Sequence, residues 1–446
     1  MARNSGVVIR ATGLLISALL FLMAVLLVYA GTLRDPRLLS WNSWAYSELL
    51  INYDGGFVRR GLLGELIKYL SGGQSAIPVA NAIVFFNFLF YSTAMTVLTV
   101  VSRKRSILNT ILVFLMPGSV FAMSIGNEFF FRKEMLFFNA LCIAGILFSI
   151  SQSIAHRGIR RFAASGTIVL IYVFGIVLPF IHESFVFLSM PANVFLIRAA
   201  AREATFGACT EASGIKIRKA LVYSYVGIGI AIFLLLSYFK GNGQVAQAIW
   251  DNLSHPDKTL FNGNINDSGG IIVLSWGLLY GLTQSMKVLV SGVLGYWIAA
   301  AMASVLYSLT LVSIDIGEHA DAKEGELCRW LLCYVTLLAC TLPMFVLGWD
   351  WGRWLVSTTI SFAILYFAID RMVFPINRLK QYGVWLSSAS VKYQLLVGRN
   401  KMVFVAMLLM IAFTFKIPEC CIGGGRWVQD ELKANFRTYV HDVFHY

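Results

Sequence analysis

Long apolar segments separated by short polar stretches dominate the pattern of this sequence. A helix needs roughly 20 mostly apolar residues to cross a bilayer, where its backbone must be hydrogen bonded internally. We count about eleven such segments, at 8–31, 78–101, 107–125, 135–153, 164–182, 184–200, 220–239, 287–313, 330–349, 353–370 and 401–417. The pattern therefore predicts an all-α, polytopic integral membrane protein with about eleven transmembrane helices.

Shorter amphipathic stretches lie between these spans. "SWNSWAYSELLINY" and "RRGLLGELIKYL", on either side of a predicted "DGG" turn, have the apolar spacing of helices that lie in the membrane interface. The segment "IIVLSWGLLYGL" at 271–282 is too short to cross and is predicted to be re-entrant or interfacial. We therefore expect one transmembrane domain over 1–446, with outer regions at 32–77, 240–286 and 418–446.

The composition supports this assignment. Hydrophobic residues make up 58% of the chain and charged residues 13%, with a mean hydropathy of +0.72, which excludes a soluble globular protein. The net charge of +13 reflects topology, because most basic loops fall on one side of the predicted spans. That side is predicted to be the cytoplasm, which gives a cytoplasmic N-terminus and a C-terminus on the outer side. No basic cluster accompanies an exposed aromatic platform, so nucleic-acid binding is not expected.

Four compact groups of charged residues fall on the opposite, outward side. They are "YDGGFVRRG" at 53–61, "NEFFFRKE" at 127–134, "IHES" at 181–184 and "GWDWGRW" at 348–354. A charged residue at the centre of a membrane helix costs about 2.5 to 3.5 kcal/mol on insertion scales, so such groups usually face a cavity or a partner. We therefore expect the four groups to converge on one outward cavity.

Arg59 and Arg60 precede the second amphipathic helix, at an end where the helix dipole disfavours cations. An anion would resolve that conflict, and free backbone N–H groups together with two guanidinium groups suit a phosphate or diphosphate. The alternative is that both arginines pair only with Asp54, Glu65 or lipid head groups.

The next two groups add further candidates. Arg132 and Lys133 extend the predicted phosphate site, while Glu128 lies one helical turn before Arg132 and suits either substrate binding or a surface ion pair. His182 and Glu183 interrupt a strongly apolar hairpin, where a carboxylate needs a cation or a raised pKa. We expect at least one of these two residues to be catalytic or to bind the ligand, although a buried histidine is more often structural.

The fourth group suits sugar binding. Asp350 and Arg353 are three residues apart and are flanked by Trp351 and Trp354. Tryptophan faces pack on the apolar faces of pyranose rings, so Asp350 is a candidate catalytic acid or base and the other three are candidate substrate contacts. An aromatic belt at the membrane interface with a local salt bridge is the alternative.

In organisation the chain resembles bacterial membrane-embedded polysaccharide polymerases, which assemble O-antigen and exopolysaccharide repeat units, and more distantly the GT-C glycosyltransferases. The resemblance lies in the multi-span layout, in "YDGGFVRRG" of the first outer loop, and in the outward "RK", "HE" and "DWGR" sites. It implies that Asp54 is the base and that Arg59 or Arg60 engages a lipid diphosphate. It also implies a bacterial inner-membrane protein with its C-terminus in the periplasm. The outer loops are shorter than in many polymerases, and the large soluble C-terminal domain of many GT-C enzymes is missing from the pattern, which leaves the donor open.

We therefore expect a glycosyltransferase or polymerase that uses a polyprenol-(di)phosphate-linked saccharide at the periplasmic face, among membrane lipids and other polysaccharide-assembly proteins. The loop at 240–270 is long enough to be a substrate lid. No metal or cofactor is expected, because the HExxH, paired-cysteine, Walker and GxSxG motifs are missing. A transporter or flippase for a lipid-linked anion and a non-catalytic assembly protein are the alternatives.

Overall fold

The protein is helical throughout the part of the chain that the computed structural model describes. That part comprises residues 18–19, 21–26, 28–29, 43–102, 107–117, 119, 131–207, 210–290, 294–318, 325–348, 350–372, 380–414 and 417. Among these residues there are helices, turns and loops but no β-strand. The predicted all-α membrane fold is confirmed.

The helices are numbered here in chain order. They are α1 (Ser43–Leu49), α2 (Gly61–Ser71), α3 (Ile77–Val101), α4 (Ile107–Leu115), α5 (Met135–Ser153), α6 (Arg157–Ile181), α7 (Phe185–Leu188), α8 (Met190–Thr205), α9 (Glu211–Tyr238), α10 (Gly243–Asp251), α11 (His255–Thr259), α12 (Gly269–Ile272), α13 (Leu278–Val290), α14 (Leu294–Glu318), α15 (Glu326–Leu347), α16 (Trp351–Ala368), α17 (Lys380–Arg399) and α18 (Lys401–Thr414). Short 3₁₀ turns at Ile265–Asp267 and Val273–Ser275 flank α12.

Six helices in the described residues are long and apolar enough to cross a membrane, namely α3, α5, α6, α9, α14 and α15. A seventh candidate joins Ser388–Arg399 of α17 to Lys401–Ala412 of α18 through a bend of 94°, and it covers the first part of the predicted span at 401–417. The predicted spans at 184–200 and 353–370 form the shorter helices α8 and α16. Those at 8–31 and 107–125 lie partly outside the described residues, so the number eleven stays a prediction.

The chain divides into two compact units. The first unit comprises Val25–Met95 and Phe129–Gln284, and the second comprises Met1–Ala24, Thr96–Glu128 and Ser285–Tyr446. In the first unit α6 packs against α5, α8 and α9, and α1 packs against α12. In the second unit α14 packs against α15, α16 and α17.

The α5–α6 hairpin determines which segments meet in the first unit. Only three residues separate the end of α5 from the start of α6 at Arg157, so the two helices run in opposite directions. His156 caps α6 and accepts a hydrogen bond from the Ile159 N–H at 3.4 Å. The residues that precede α5 therefore lie at the same end of the hairpin as those that follow α6.

The predicted outer loop at 240–286 is a series of short helices that packs on α1. Helix α12 approaches α1 closely because it begins with two glycines, and a Cβ atom on Gly270 would lie only 2.3 Å from the backbone nitrogen of Glu48. The Gly270 N–H also donates to Ser47 Oγ at 2.7 Å. These contacts fix the position of the helix that carries Glu48.

Asp257 joins the same segment to the start of α3. Its buried carboxylate accepts hydrogen bonds from Ser75 Oγ at 2.9 Å and from the Ala76 N–H at 3.1 Å. Ser254 Oγ donates a further hydrogen bond at 2.6 Å. A buried carboxylate with this many donors holds both segments in register. The segment therefore supports α1 and α3, and its predicted motion as a lid stays a prediction.

Candidate functional site

The turn between α1 and α2 ends at the paired arginines. Gly56 has a φ of +97°, and Arg60, which caps α2, has a φ of +67°. Helix α2 begins at the next residue, Gly61. The Arg59 N–H donates to the carbonyl oxygen of Phe239, at the end of α9, at 2.9 Å. Both arginines therefore lie at the N-terminus of a helix, as the sequence predicts.

Glu183 neutralises these two arginines. Its Oε1 atom accepts hydrogen bonds from Arg59 Nη1 at 3.0 Å and from Arg60 Nη2 at 2.6 Å. Arg60 Nε donates to both carboxylate oxygens, at 3.0 Å and 2.9 Å. Two-point contacts of this kind are the strongest form of guanidinium–carboxylate pairing. Within the described residues both guanidinium groups therefore pair with Glu183 and not with Asp54 or Glu65, two of the partners that the alternative names.

A second carboxylate, Glu48 of α1, connects Arg60 to the segment before α5. Its Oε1 atom lies 3.3 Å from Arg60 Nη1, and its Oε2 atom lies 3.3 Å from Arg132 Nη1. The next residue, Lys133, is buried and donates from Nζ to the carbonyl oxygen of Arg60 at 2.8 Å. Segments that are 70 to 120 residues apart in the chain thus meet around Arg60.

His182 and Glu134 complete the cluster on its buried side. The Ser184 N–H donates to His182 Nδ1 at 3.1 Å, which places the proton of the neutral imidazole on Nε2. That Nε2 atom lies 3.9 Å from Glu134 Oε1, and Nδ1 lies 3.6 Å from Glu183 Oε2. We call the whole set the charged cluster, and its members are Glu48, Arg59, Arg60, Arg132, Lys133, Glu134, His182 and Glu183.

The cluster shifts the pKa values of two of its members in ways that matter for chemistry. Burial opposes ionisation of Glu183, but Arg60 and Arg59 outweigh it and hold the pKa of that carboxyl well below its usual range. Burial lowers the pKa of Lys133 to about 7, against the opposing effect of Glu48 and Glu183. Of these two groups, Glu183 is ionised near neutral pH, whereas Lys133 changes its charge there.

Asp54 lies apart from these contacts. Its Oδ1 atom pairs with Lys68 Nζ on α2, and its buried Oδ2 atom has no hydrogen-bond partner in the described part of the chain. The Tyr53 N–H donates to Glu65 Oε2 at 3.0 Å. The acidic side chains of this region therefore lie along the side of α2, whereas the arginines lie at its N-terminus. The role of Asp54 as base stays a prediction.

The fourth predicted group belongs to the second unit. Arg353 Nη2 lies 3.1 Å from Asp350 Oδ2, so the predicted local ion pair is present. The Arg353 guanidinium also lies 4.7 Å from the centre of the Trp354 ring, and Trp351 packs against Trp297 with ring centres 6.2 Å apart. Their predicted roles in catalysis and sugar binding stay predictions.

Three of the four predicted groups thus contribute to one cluster in the first unit, although Glu128 lies outside the described residues. Glu48 and Glu134 were not among the site residues predicted from the sequence. Glu48 looks like an ordinary polar position of an interfacial helix, because its partners Arg60 and Arg132 are distant in sequence. A carboxylate next to a basic pair, as in "RKE", was the available signal for Glu134.

An aromatic surface adjoins the arginines. Phe57 is 43% exposed, stacks on Tyr53 with ring centres 5.5 Å apart, and contacts Phe239 edge to face at 5.0 Å. An exposed ring beside guanidinium groups suits a ligand with both an anionic and an apolar part. In the described residues, no group of three or more histidine, cysteine, aspartate or glutamate side chains is arranged to hold a metal ion.

Comparison with known proteins identifies the family. Residues 14–257 match the family model described as "Uncharacterised membrane protein Rv1490". This chain belongs to the Rv1490 family of membrane proteins. The matched range contains every member of the charged cluster, whereas Asp350 and Arg353 lie beyond it.

Relatives of the chain carry the same description. The uncharacterized proteins Rv1490 of Mycobacterium tuberculosis and Mb1527 of Mycobacterium bovis are each 26% identical to it over 352 residues. These alignments cover 72% of this chain and 75% of each relative. No solved structure gives a significant match. Membership of the Rv1490 family therefore establishes a membrane protein.

Proposed function

We propose that this member of the Rv1490 family is a membrane glycosyltransferase that uses a polyprenol-(di)phosphate-linked saccharide as donor. The observation that carries the proposal is the convergence of Arg59 and Arg60 at the N-terminus of α2, with Arg132 and Lys133 behind them. In such a reaction the bond between the sugar and the phosphate breaks, and negative charge develops on the leaving phosphate. Guanidinium groups and a helix N-terminus stabilise that charge.

The surroundings of the arginines support a lipid-linked donor. Phe57 and Tyr53 provide an aromatic surface beside the guanidinium groups, and aromatic faces pack against sugar rings and apolar chains alike. We propose that the site faces the periplasm of a bacterium and that the chain works with other proteins of polysaccharide assembly. The basic "HRGIRR" turn at the opposite end of the α5–α6 hairpin supports this orientation.

The full-length protein, reconstituted in liposomes with a polyprenol-diphosphate-linked oligosaccharide, tests the proposal. Wild type should form new glycosidic bonds, and Arg59→Gln should lower turnover about 100-fold, the typical cost of removing one donor to a developing oxyanion. Arg161→Gln is the matched control, because Arg161 is a half-buried arginine in the first turns of α6, at the opposite end of the hairpin, and donates to the Phe206 carbonyl. Wild-type turnover by Arg59→Gln would contradict the assigned phosphate site.

The same liposomes separate the alternative functions. Movement of the intact lipid-linked saccharide across the bilayer, without a new glycosidic bond, would indicate a transporter or flippase. If neither bond formation nor movement depends on Arg59, the charged cluster is structural, as in an assembly protein.

A further inference from the structure

The accessible edge of the charged cluster is a carboxylate held between two guanidinium groups. The side chains of Arg59, Arg60 and Glu183 are 22%, 13% and 11% exposed. Those of Glu48 and Arg132, by contrast, are only 2% and 4% exposed. An anion that approaches from outside therefore meets the arginines at the place that Glu183 already occupies.

The contacts of Glu183 are those that a phosphate would make. One carboxylate oxygen bridges Arg59 and Arg60, and the Nε and Nη2 atoms of Arg60 form a fork on the same carboxyl group. Guanidinium forks bind phosphate oxygens in the same two-point manner. A diphosphate has more negative charge than a carboxylate, so it competes for these donors.

Hydrogen bonds hold the backbones of Arg59 and Arg60 in place at this edge. Arg59 is held by the hydrogen bond from its N–H to the Phe239 carbonyl, and Arg60 by the hydrogen bond from Lys133 to its carbonyl oxygen. Glu183 lies in the turn between Ile181, which ends α6, and the short helix α7. The backbone positions of the two arginines are thereby fixed, and the Glu183 carboxylate is held by the guanidinium contacts for which a phosphate competes.

We propose that Glu183 is a resident substitute for the phosphate of the ligand, and that the carboxylate released by an incoming phosphate becomes the catalytic base. The base role rests on the glycosyl transfer proposed above, whereas the displacement does not. Departure from Arg59 and Arg60 removes the two cations that favour the ionised form, so the released carboxylate has a greater affinity for a proton than the resident one. Substrate binding would thus activate the base.

The bonds and charges of this step balance. The acceptor O–H bond breaks and its proton goes to the Glu183 carboxylate, while the acceptor oxygen forms a bond to the anomeric carbon of the donor sugar. The bond between that carbon and the phosphate oxygen breaks, and its electron pair leaves with the phosphate held by Arg59 and Arg60. Glu183 then returns its proton to solvent when the phosphate departs and the ion pairs re-form.

Binding of inorganic pyrophosphate to the full-length protein in detergent tests the displacement. Glu183→Gln should unfold at a lower temperature than wild type without an anion, because it removes the carboxylate that Arg59 and Arg60 share. It should nevertheless bind pyrophosphate about tenfold more tightly, since the competing charge is gone. The pyrophosphate-induced rise in melting temperature should therefore be larger than in wild type.

Two further variants complete the test. Glu48→Gln removes a carboxylate that also pairs with Arg60 but is not on the accessible edge, so it should lower the melting temperature without the gain in pyrophosphate affinity. Glu183→Asp keeps a shorter carboxylate that bridges the arginines less well, so its affinity should lie between those of wild type and Glu183→Gln. Equal or weaker binding by both Glu183 variants, or an equal gain in Glu48→Gln, would overturn the displacement.

The transfer assay tests the base role separately. Glu183→Gln should lose turnover while still binding the lipid-linked donor, and Glu183→Asp should retain part of the turnover with an altered pH profile. Full turnover by Glu183→Gln would refute the base role and leave the proposed glycosyl transfer intact. Absence of transfer by wild type would instead refute the proposed function, and the pyrophosphate comparison would still decide the displacement.

Discussion

Arg60 meets three requirements at once. Its side chain pairs with Glu183 and Glu48, its carbonyl oxygen accepts the Lys133 ammonium, and its backbone has a φ of +67°. The left-handed conformation is costly for any residue with a Cβ atom. Strained backbone of this kind is typical of functional sites, where surrounding contacts hold it. The left-handed backbone of Arg60 therefore lowers the stability of the protein, and the contacts of its guanidinium group in the charged cluster hold it in that conformation.

Two substitutions at this position separate the side chain from the backbone. Arg60→Ala and Arg60→Gly should both lower the free energy of unfolding, by about 3 to 5 kcal/mol, because they remove the guanidinium group that Glu183 and Glu48 share and leave each carboxylate with one arginine partner. Arg60→Gly should be the more stable of the two by roughly 1 to 2 kcal/mol, since glycine relieves the left-handed strain. Urea unfolding followed by tryptophan fluorescence measures the difference. If the alanine variant is as stable as the glycine variant, the left-handed conformation at position 60 has no measurable cost.

Lys133 makes the stability of the protein depend on pH. The folded protein releases the Lys133 proton near pH 7, whereas an unfolded lysine keeps its proton until about pH 10. Between about pH 7 and about pH 10 the unfolded state binds more protons than the folded state, so the free energy of unfolding rises with pH over this range. The contribution of Lys133 to stability is therefore least favourable below about pH 7. The melting temperature should rise by several degrees over this window in wild type.

Lys133→Met is the control for this pH dependence. Methionine has a similar length and no charge, so the variant should lose the rise between about pH 7 and about pH 10 that burial of the ammonium causes. Thermal unfolding at a series of pH values measures both proteins. An unchanged slope in Lys133→Met would mean that another group titrates in this window.

At the residue scale, the sequence supplied the chemistry of the site but not its pairing. Arg59, Arg60 and Glu183 are recognisable because charges that interrupt apolar segments are expensive. Their mutual contacts were not predictable, because ion pairs across 120 or more residues leave no local pattern. Glu48 was not predicted for the same reason. A glutamate on an interfacial helix is common, and the sequence does not show that Glu48 has buried arginine partners.

Helix α2 owes its position to glycines at the contact with the preceding segment. A Cβ atom on Gly64 would lie 1.9 Å from the carbonyl oxygen of Ile51, and one on Gly61 would lie 2.3 Å from the Tyr53 ring. Only glycine allows so close an approach of two backbones. Because Gly61 and Gly64 have no side chain, α2 lies directly against the preceding segment. This contact determines the position of the N-terminus of α2 and of Arg60.

This contact can be tested with two helical glycines. Gly64→Ala should lower stability by about 1 to 3 kcal/mol, as overpacked cores do, and should weaken pyrophosphate binding by shifting α2. Gly243→Ala is the control, because Gly243 begins α10 and a Cβ atom added there would meet no other atom within 4 Å. Melting temperatures and pyrophosphate affinities of both variants are the measurements. Equal melting temperatures and equal pyrophosphate affinities of the two variants would contradict the close approach of Gly64 to the backbone of Ile51.

At the element scale, long apolar helices were predictable and short ones were only partly so. The predicted spans at 78–101 and 135–153 agree with α3 and α5 within a residue or so, because hydropathy over roughly 20 residues is a strong signal. The segment at 240–286 carries no such signal. Its short helices depend on caps and on contacts with α1 and α3, including the bonds of Asp257, which no local pattern encodes.

At the scale of the whole molecule, orientation decides which compartment supplies the ligand. The cluster lies at one end of the α5–α6 hairpin, and the basic turn that contains Ala155 lies at the other. The positive-inside rule places that turn in the cytoplasm. The cluster should therefore face the periplasm.

Cysteine labelling tests this orientation. In a background without the seven native cysteines, Gln74→Cys and Ala155→Cys introduce exposed thiols at the two ends. A membrane-impermeant maleimide should label Gln74→Cys in intact spheroplasts and should label Ala155→Cys only after permeabilisation. The reverse result would place the cluster in the cytoplasm and exclude a periplasmic donor.

The backbone hydrogen bond between Arg59 and Phe239 couples the site to bilayer thickness. The apolar part of α9, predicted at 220–239, is about 30 Å long at 1.5 Å per residue, which is close to the thickness of the hydrocarbon core of a typical bilayer. In a thinner bilayer such a helix tilts, and in a thicker one it deforms the lipid around it, so the position of its ends changes with the length of the surrounding acyl chains. Because the C-terminal end of α9 holds the Arg59 backbone, the geometry of the guanidinium pair should respond to the lipids in which the protein is reconstituted.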